Sequence, residues 1–454
     1  MKILFTGGTG LIGRELGKAL VRNGHSLVVL TRDPKNSILK TPYPHTAIRW
    51  DGEAGPLDKS HFEGIDGIIH LAGVGIADKR WSKKFKYRLE DSRIKATSNL
   101  LKNAPKNLKF FIGASAIGFY RASDQPLYEE ETAADHYFGQ LCRRWEEKAF
   151  DYLDPKQTSI CHIRTGVVLS PQGGALAQMV PPLRTGLAGP LGSGQQIMSW
   201  IDIEDIVGIY LYALENNLKG PINGVAPNPV TNKKLTQTIG KIISRPVFSP
   251  VPKFSLRIVL GEVAKYLLMS QNVSSQKIEN LGYQFKFKTV EMSVEKNIPK
   301  LQLGETRFIS EQYVYEPLDK VFPFFSNANN LEKMTPPSFK FKVVSKTTDK
   351  IEVGTLINYK LMLDGIIPMR WQTLITEWNP PHRFADLQKK GPYKKWHHTH
   401  SFEPLGEGVL MVDQVNYSLP LGLVGWIFAG WKVRRDITKI FNFRTQVLDQ
   451  LFKG

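Results

Sequence analysis

Cysteine is scarce: Cys142 and Cys161 are the only two in a chain of 454 residues. Neither belongs to a CxxC pair or a His-rich segment. This pattern excludes a disulfide framework, argues against a structural zinc site and fits a reducing, cytoplasmic setting. Long hydrophobic runs are missing as well. The most apolar late stretch, Leu419–Trp431, is interrupted by Gly422, Gly425 and Gly430 and falls short of the ~20 residues that span a bilayer. Met1-Lys2 runs directly into an apolar strand and a glycine turn, so neither a secretory leader nor a membrane location is expected.

Acidic charge is in deficit, with 42 Asp+Glu against 60 Lys+Arg and a net charge of +18. The densest basic cluster, Lys83, Lys84, Lys86 and Arg88, alternates with Trp81, Phe85 and Tyr87. It carries no nucleic-acid reader motif, so no nucleic-acid partner is expected. An anionic small molecule, such as a phosphorylated cofactor, accounts for the positive potential.

What is present is a globular composition, 42% hydrophobic and 22% charged, on a chain long enough for two or three domains. Residues 1–170 alternate apolar runs with helical patterns, the signature of βαβ units. Strands are expected at Ile3–Thr6, Ser26–Thr31, Gly67–Leu71, Lys109–Ala114 and Ser159–Val168, each apolar without alternation, as in a sheet covered on both faces. Helices are expected at Gly13–Asn23, Ser92–Asn103 and Gln140–Tyr152. Residues 171–298 are rich in glycine and proline and read as a substrate-side extension with a small subdomain.

A linker near Asn297–Glu305 precedes a third region, 306–453. There a strand (Thr306–Tyr315) and a Pro-started helix (Pro317–Phe325) lead into hairpin-like strands. These are Lys340–Ser345, Thr355–Leu363, Met369–Trp378, Arg383–Gln388, Lys395–Glu403 and Val409–Leu419. Ile357, Tyr359, Leu361 and Leu363 alternate, so one face is buried. The chain ends in an amphipathic helix, Val424–Phe452, with Val424, Ile427, Phe428 and Trp431 at three-and-four spacing.

The chemistry begins at Thr6–Gly13, T-G-G-T-G-L-I-G, with Gly7, Gly10 and Gly13 between a strand and a helix. The first glycine makes a tight turn, the second admits a pyrophosphate to the backbone, and the third lets helix and strand pack. The helix N-terminus then supplies free donors and partial positive charge. The second strand ends in Arg32-Asp33. Arg32 has a fork suited to a 2′-phosphate, while Asp33 would suit the ribose hydroxyl of NAD. Arg32 comes first after the apolar run and tilts the reading to NADP over NAD.

With these residues the chain resembles the extended short-chain dehydrogenase/reductases. Within them it resembles an uncharacterised epimerase-like family, some of whose members are named as cell-division inhibitors, with a DUF1731-type C-terminal subdomain. Further matching stretches are His70–Gly73 (H-L-A-G), Ser92-Arg93, Ser115–Tyr120 (S-A-I-G-F-Y), Gly173–Leu176 (G-G-A-L), Gly189–Gly194, Ser199–Asp205 (S-W-I-D-I-E-D), Ala226–Thr231 and Arg245–Pro252. The resemblance implies a nucleotide cleft lined by Gly7, Thr9, Gly10, Leu11, Ile12, Gly13, Arg32, Leu71, Ala72 and Gly73, with Ser115 beside the nicotinamide. Arg80, Trp81 and Trp200 are the candidates for substrate contact, with core packing of Trp81 as the alternative.

The chain departs from the superfamily at its Tyr-x-x-x-Lys pair, in which Lys lowers the phenol's pKa and Tyr moves the proton. Here Phe138 and Cys142 take those places; reading Tyr137 as the phenol puts Leu141 at the lysine position. Ser115 and Tyr137 are the remaining catalytic candidates, and Cys142 reads as a buried, inert thiol. Asp202 and Asp205 precede or open a helix, where capping is the plain explanation, favoured for Asp205.

Residues 306–453 resemble the helix-grip (SRPBCC) superfamily of polyketide cyclases and START-like lipid carriers, in which a sheet encloses an apolar cavity against a long helix. His398 and His400 share a strand face with Trp396 and Phe402. No third ligand is evident in sequence, so no metal is expected.

The fold class is therefore α/β, a doubly wound Rossmann sheet with a small substrate subdomain, followed by an α+β helix-grip domain. Two functions compete. One is an NADP-dependent oxidoreductase or epimerase with a small-molecule substrate and a hydrophobic ligand in the third region. The other is a non-catalytic NADP(H)-binding regulator.

Overall fold

The computed structural model describes residues 1–37, 39–186, 188–299, 301, 304–363 and 367–452. By contacts the chain divides into two compact units, Met1–Pro34 with His45–Lys300, and Lys35–Pro44 with Leu301–Gly454. Of the expected linker, Lys300, Gln302 and Leu303 lie outside the described residues, as do the side chains of Leu363, Val424 and Ile427.

In the first unit the strands are β1 (Lys2–Thr6), β2 (Ser26–Thr31), β3 (Thr46–Arg49), β4 (Gly67–His70), β5 (Phe110–Ala116), β6 (Ser123–Leu127), β7 (Ser159–Thr165), β8 (Val167–Ser170), β9 (Ile197–Met198), β10 (Trp200–Asp202), β11 (Gly220–Gly224), β12 (Val230–Thr231) and β13 (Gln271–Val273). Among the described residues, a parallel sheet of seven runs in the order β11-β7-β5-β4-β1-β2-β3. Strand order reverses at β1, so a crevice opens beyond the carboxyl ends of β1 and β4, where such sheets hold ligands. Ile3, Leu4, Phe5, Ile68 and Ile69 are fully buried, which is why these strands carry no alternation.

Three expectations change. Two strands of this sheet escaped the pattern: β3 is only Thr-Ala-Ile-Arg, and β11 carries Gly220 and Pro221, tolerated because it is an edge strand. The expected strand Ser159–Val168 breaks at Gly166, where a Cβ would lie 2.5 Å from the Ser199 carbonyl oxygen. Beyond that point β8 leaves the main sheet to pair with β10. Finally, the helix expected at Ser92 starts at Lys83 behind Ser82, whose Oγ accepts from the Phe85 N–H at 3.2 Å. The Lys83–Arg88 cluster thus lies on a helix, with Phe85 buried and Tyr87 exposed.

The helix Ile203–Glu215 ties residues 283–297 to this core. Asp202, not Asp205, is its cap, accepting from the Glu204 N–H at 2.8 Å with one oxygen and from Ser293 and Asn297 at 2.6 and 2.7 Å with the other. Asp205 is fully buried and accepts from the backbone N–H groups of Lys286 (2.8 Å) and Phe287 (2.9 Å) and from the Tyr283 hydroxyl (3.1 Å).

The second unit holds β14 (Glu305–Val314), β15 (Lys342–Lys346), β16 (Leu356–Leu363), β17 (Ile367–Asn379), β18 (Arg383–Lys390), β19 (Lys395–Leu405) and β20 (Gly408–Ser418). They form an antiparallel sheet in the order β14-β20-β19-β18-β17-β16-β15. Ile357, Tyr359 and Leu361 point to the buried side, as their alternation requires. The sheet packs on the long helix Leu423–Phe452: Leu448 meets Phe402, Val409 and Met411, while Ile437 and Phe441 meet Val415 and Tyr417.

Asp205→Ala would leave two backbone N–H groups and a hydroxyl unpaired. A loss of about 2–5 kcal/mol in urea unfolding is expected, against less than about 1 kcal/mol for exposed Glu215→Ala.

Candidate functional site

The first unit's crevice is built by close backbone approach. Gly7 sits at φ +72°, and a Cβ there would lie 2.6 Å from the Leu71 carbonyl carbon; at Gly13 it would lie 2.1 Å from the Gly7 oxygen. The Gly10 N–H donates to the Gly7 carbonyl at 2.9 Å, closing the turn. The helix Leu11–Arg22 begins with no side-chain cap, so its first N–H groups face the crevice as anion donors. Gly173 extends the cradle, because a Cβ there would come 3.1 Å from Leu11. This combination fits a dinucleotide pyrophosphate. Arg32 is exposed, immediately beyond β2 and next to the end of β1.

Opposite the turn, Thr6 binds the carboxyl end of β4. Its Oγ lies 2.7 Å from His70 Nδ1 and accepts from the Ala72 N–H at 3.1 Å, while His70 Nε2 meets Thr97 at 3.0 Å. Burial, reinforced by the nearby His162, lowers the His70 pKa to about 3. The segment from Leu71 onward is pinned by a π-helical turn at Asp91–Lys95. The Val74 N–H donates to Ser92 Oγ (3.2 Å), and Arg93 donates to the Val74 carbonyl (3.0 Å).

The helix Tyr137–Glu147 aligns Phe138, Cys142 and Glu146 at four-residue spacing along the end of β5. The Phe138 ring occupies the space left by Gly118, where a Cβ would lie 2.0 Å away. Burial raises the Cys142 thiol pKa to about 12, so it is no nucleophile at neutral pH. Ser115 bonds neither backbone nor open space: its Oγ donates to Glu146 Oε1 at 2.5 Å. Glu146 in turn takes a two-pronged bond from Arg164, Nε at 2.9 Å and a terminal nitrogen at 2.8 Å. Arg164 also reaches the Tyr120 hydroxyl (2.9 Å) and the Glu129 carbonyl (3.0 Å), and Tyr120 donates to Asn223 Oδ1 at 2.6 Å. Sequence reasoning missed this network, because its members are spread from Ser115 to Asn223 and meet only through strand order.

Three of the other candidates fall in packed positions. The Tyr137 hydroxyl donates to the Lys86 carbonyl at 3.0 Å, and burial raises its pKa further above the usual phenol range. Trp81 is core: it stacks on Phe138 at 5.8 Å and donates to the Ile76 carbonyl at 2.8 Å. Trp200 is fully buried in the subdomain core and donates to the Asn228 carbonyl at 2.8 Å. Arg80 is exposed and lies against Gly261.

The second unit encloses a cavity of about 500 Å³ between sheet and long helix, lined by apolar groups such as Leu331, Ile375, Trp396 and Phe441, and by Asp386, His398, His400 and Arg444. Asp386 on β18 stands beside His398 on β19 in the strand register. It brings a third possible metal donor to the two histidines, which corrects the expectation that they have none. Burial lowers the pKa of His398 to about 4, lowers that of His400, and raises that of Asp386.

A parallel sheet with a glycine turn at its switch point defines a Rossmann-type unit, and comparison with known proteins agrees. Residues 3–226 match the model of the NAD dependent epimerase/dehydratase family, and residues 251–296 match a domain of unknown function, DUF1731. The chain is 37% identical over 300 residues to the chloroplastic epimerase family protein SDR39U1 homolog of Arabidopsis thaliana, covering 64% of this chain and 84% of the relative. It also superposes on the crystal structure of human epimerase family protein SDR39U1 (isoform 2) with NADPH, at 33% identity and a TM-score of 0.59, covering 65% of this chain and 99% of that one. A UDP-glucuronic acid 4-epimerase from Bacillus cereus in complex with NAD shares the fold at 19% identity and a TM-score of 0.53, covering 65% and 96%. The chain belongs to the NAD-dependent epimerase/dehydratase family. No helix among the described residues is long and apolar enough to cross a membrane.

Two outcomes test this description. Glu146→Gln or Arg164→Met should each cost about 3–5 kcal/mol in denaturant unfolding, because each strands a buried charge. The Glu146→Gln/Arg164→Met double variant should lose less than the two singles combined; strictly additive losses would contradict the coupling. His70 and His162, at about 3 and about 4, stay neutral in the folded state, while the unfolded chain takes up protons near the ordinary value of 6.5. Their contribution is therefore complete above pH 6.5 and lost as pH falls towards their folded values, each adding a slope of up to about 1.4 kcal/mol per pH unit. Unfolding of His70→Gln between about pH 7 and pH 4 should show a shallower slope than the parent.

Proposed function

We propose that the first unit binds NADP(H) and works as an epimerase-type oxidoreductase on a small molecule, without the Tyr-Lys pair. The observation that carries this reading is the uncapped helix N-terminus at the Gly7–Gly13 turn, with exposed Arg32 beyond the adjacent strand. Gly7, Thr9, Gly10, Leu11, Ile12 and Gly13 would hold the pyrophosphate, Arg32 the 2′-phosphate, and Leu71, Ala72 and Gly73 the far wall. When bound, the nicotinamide supplies hydride chemistry. The NADPH bound by the human relative supports the choice of NADP, while NAD is the cofactor in the more distant epimerase.

A second reading, a non-catalytic NADP(H) sensor, is favoured by one observation: Phe138 has no exchangeable proton, and Ser115 is already committed to Glu146. The domain reading of 1–170, 171–298 and 306–453 is retained as part of the proposal. The third region is read as a helix-grip domain that takes a hydrophobic ligand; the cavity's apolar lining supports this.

Calorimetry with NADPH and NADH tests the cofactor. Arg32→Ala should weaken NADPH about 10-fold to 100-fold, as expected for the loss of charged hydrogen bonds, and NADH less than about threefold. Equal losses would remove the 2′-phosphate role. Oxidation of bound NADPH by a panel of carbonyl and nucleotide-sugar compounds separates the two functions: turnover of any compound supports the enzyme, and tight binding with none supports the sensor.

A further inference from the structure

We propose that Asp386, His398 and His400 form a binding site for a divalent first-row transition ion, such as Zn²⁺ or Fe²⁺, that opens on the second unit's cavity. The inference concerns a different unit from the nucleotide site and does not rest on NADP(H) binding.

The geometry is that of two imidazoles between two carboxylates. His398 and His400 stand two residues apart on β19, with ring centroids 3.8 Å apart. On one side His398 Nε2 lies 3.0 Å, and His400 Nδ1 2.8 Å, from Asp413 Oδ1. Asp413 is buried and is held in turn by Arg444. On the other side His398 Nδ1 and His400 Nε2 both turn towards Asp386 Oδ2, at 3.7 and 3.5 Å.

These last separations exceed a hydrogen bond. They match the spacing of two ligand atoms that share one ion, about 3.4 Å when each bond is about 2.0–2.1 Å and the angle is tetrahedral. With the His398 Nε2–H donated to Asp413 and His400 in the tautomer that carries its proton on Nδ1, both rings present lone pairs to the Asp386 carboxylate, so three possible ligand atoms converge. Arg444 answers the charge of Asp413, whereas the partly buried Asp386 carboxylate faces the two rings on the cavity wall. A divalent cation would join all three.

A metal-bound histidine commonly gives its second nitrogen to a carboxylate that fixes the ring. Asp413 serves His398 in this way, while His400 Nδ1 lies close to it without the alignment of a hydrogen bond; Asp413 and Arg444 are thus positioning residues. Two imidazoles and one carboxylate suit borderline transition ions better than Mg²⁺ or Ca²⁺ and leave coordination positions open. Asp386, His398 and His400 all line the cavity while Asp413 does not, so the open positions face the apolar chamber. A polar group of a hydrophobic ligand could complete the coordination there.

The test uses the full-length protein, stripped with a chelator and titrated with Co²⁺ in the absence of nucleotide, with visible absorption and calorimetry as readouts. One equivalent per chain is expected, displaced by Zn²⁺. Asp386→Asn and His400→Gln should each weaken binding about 100-fold or more. Asp413→Asn should weaken it about 10-fold to 100-fold, and His397→Gln, on the opposite strand face, should leave it unchanged. X-ray absorption of the Zn²⁺-loaded parent protein should show two imidazoles and at least one oxygen, a readout independent of whether the variants fold. The proposal is overturned if binding does not saturate at one equivalent, if folded triad variants bind as the parent does, or if the zinc shell lacks two imidazoles. A shared proton in place of a metal would give the first of these results.

Discussion

A guanidinium taken out of water needs a carboxylate with matching geometry, and much of the first unit is arranged around one such pair. Glu146 and Arg164 are both buried and joined by two hydrogen bonds. Their remaining polar atoms recruit Ser115 from β5, Tyr120 and the Glu129 backbone. Tyr120 passes the constraint to Asn223 on the edge strand, whose backbone N–H is held by the Glu129 carboxylate at 2.9 Å. Such a network stays in place only if every member is satisfied, since one missing partner leaves a charge stranded in low dielectric. It therefore fixes the helix carrying Phe138 and Cys142 against the end of β5, the region where family chemistry would take place.

That constraint bears directly on function. Ser115 donates to an acid, and Phe138 and Cys142, which the sequence sets at the places of the usual phenol and ammonium, are an apolar ring and a thiol whose pKa burial raises. The nucleotide turn keeps every feature that phosphate binding requires. Phosphate binding would rest on backbone geometry at Gly7–Gly13 and proton transfer on side chains, so the proposed binding and the proposed chemistry are separable here.

Much of the molecule was legible in the sequence. The five longest apolar strands of the first unit, the glycine turn and nearly all strands of the second unit follow from local periodicity, because burial on one or both faces imposes a pattern that neighbouring residues carry together. The two strands of the parallel sheet that escaped, Thr46–Arg49 and Gly220–Gly224, are too short or too rich in glycine and proline to carry one. The break at Gly166 depends on Ser199, and the start of the helix at Lys83 on the Ser82 cap, so neither shows as hydrophobic periodicity.

By itself the sequence determined the parallel Rossmann-type sheet, the antiparallel sheet with its long C-terminal helix, the glycine turn and the histidine pair on one strand face, since each depends on residues close in the chain. Only the tertiary structure decided what those groups face. It set Ser115 on Glu146, took Trp81 and Trp200 into cores, exchanged the expected cap at Asp205 for Asp202, and brought Asp386 and Asp413 to either side of His398 and His400. The reason is register. Which side chains meet across a sheet depends on how distant strands pair, and a shift of one residue would turn each of them to the opposite face.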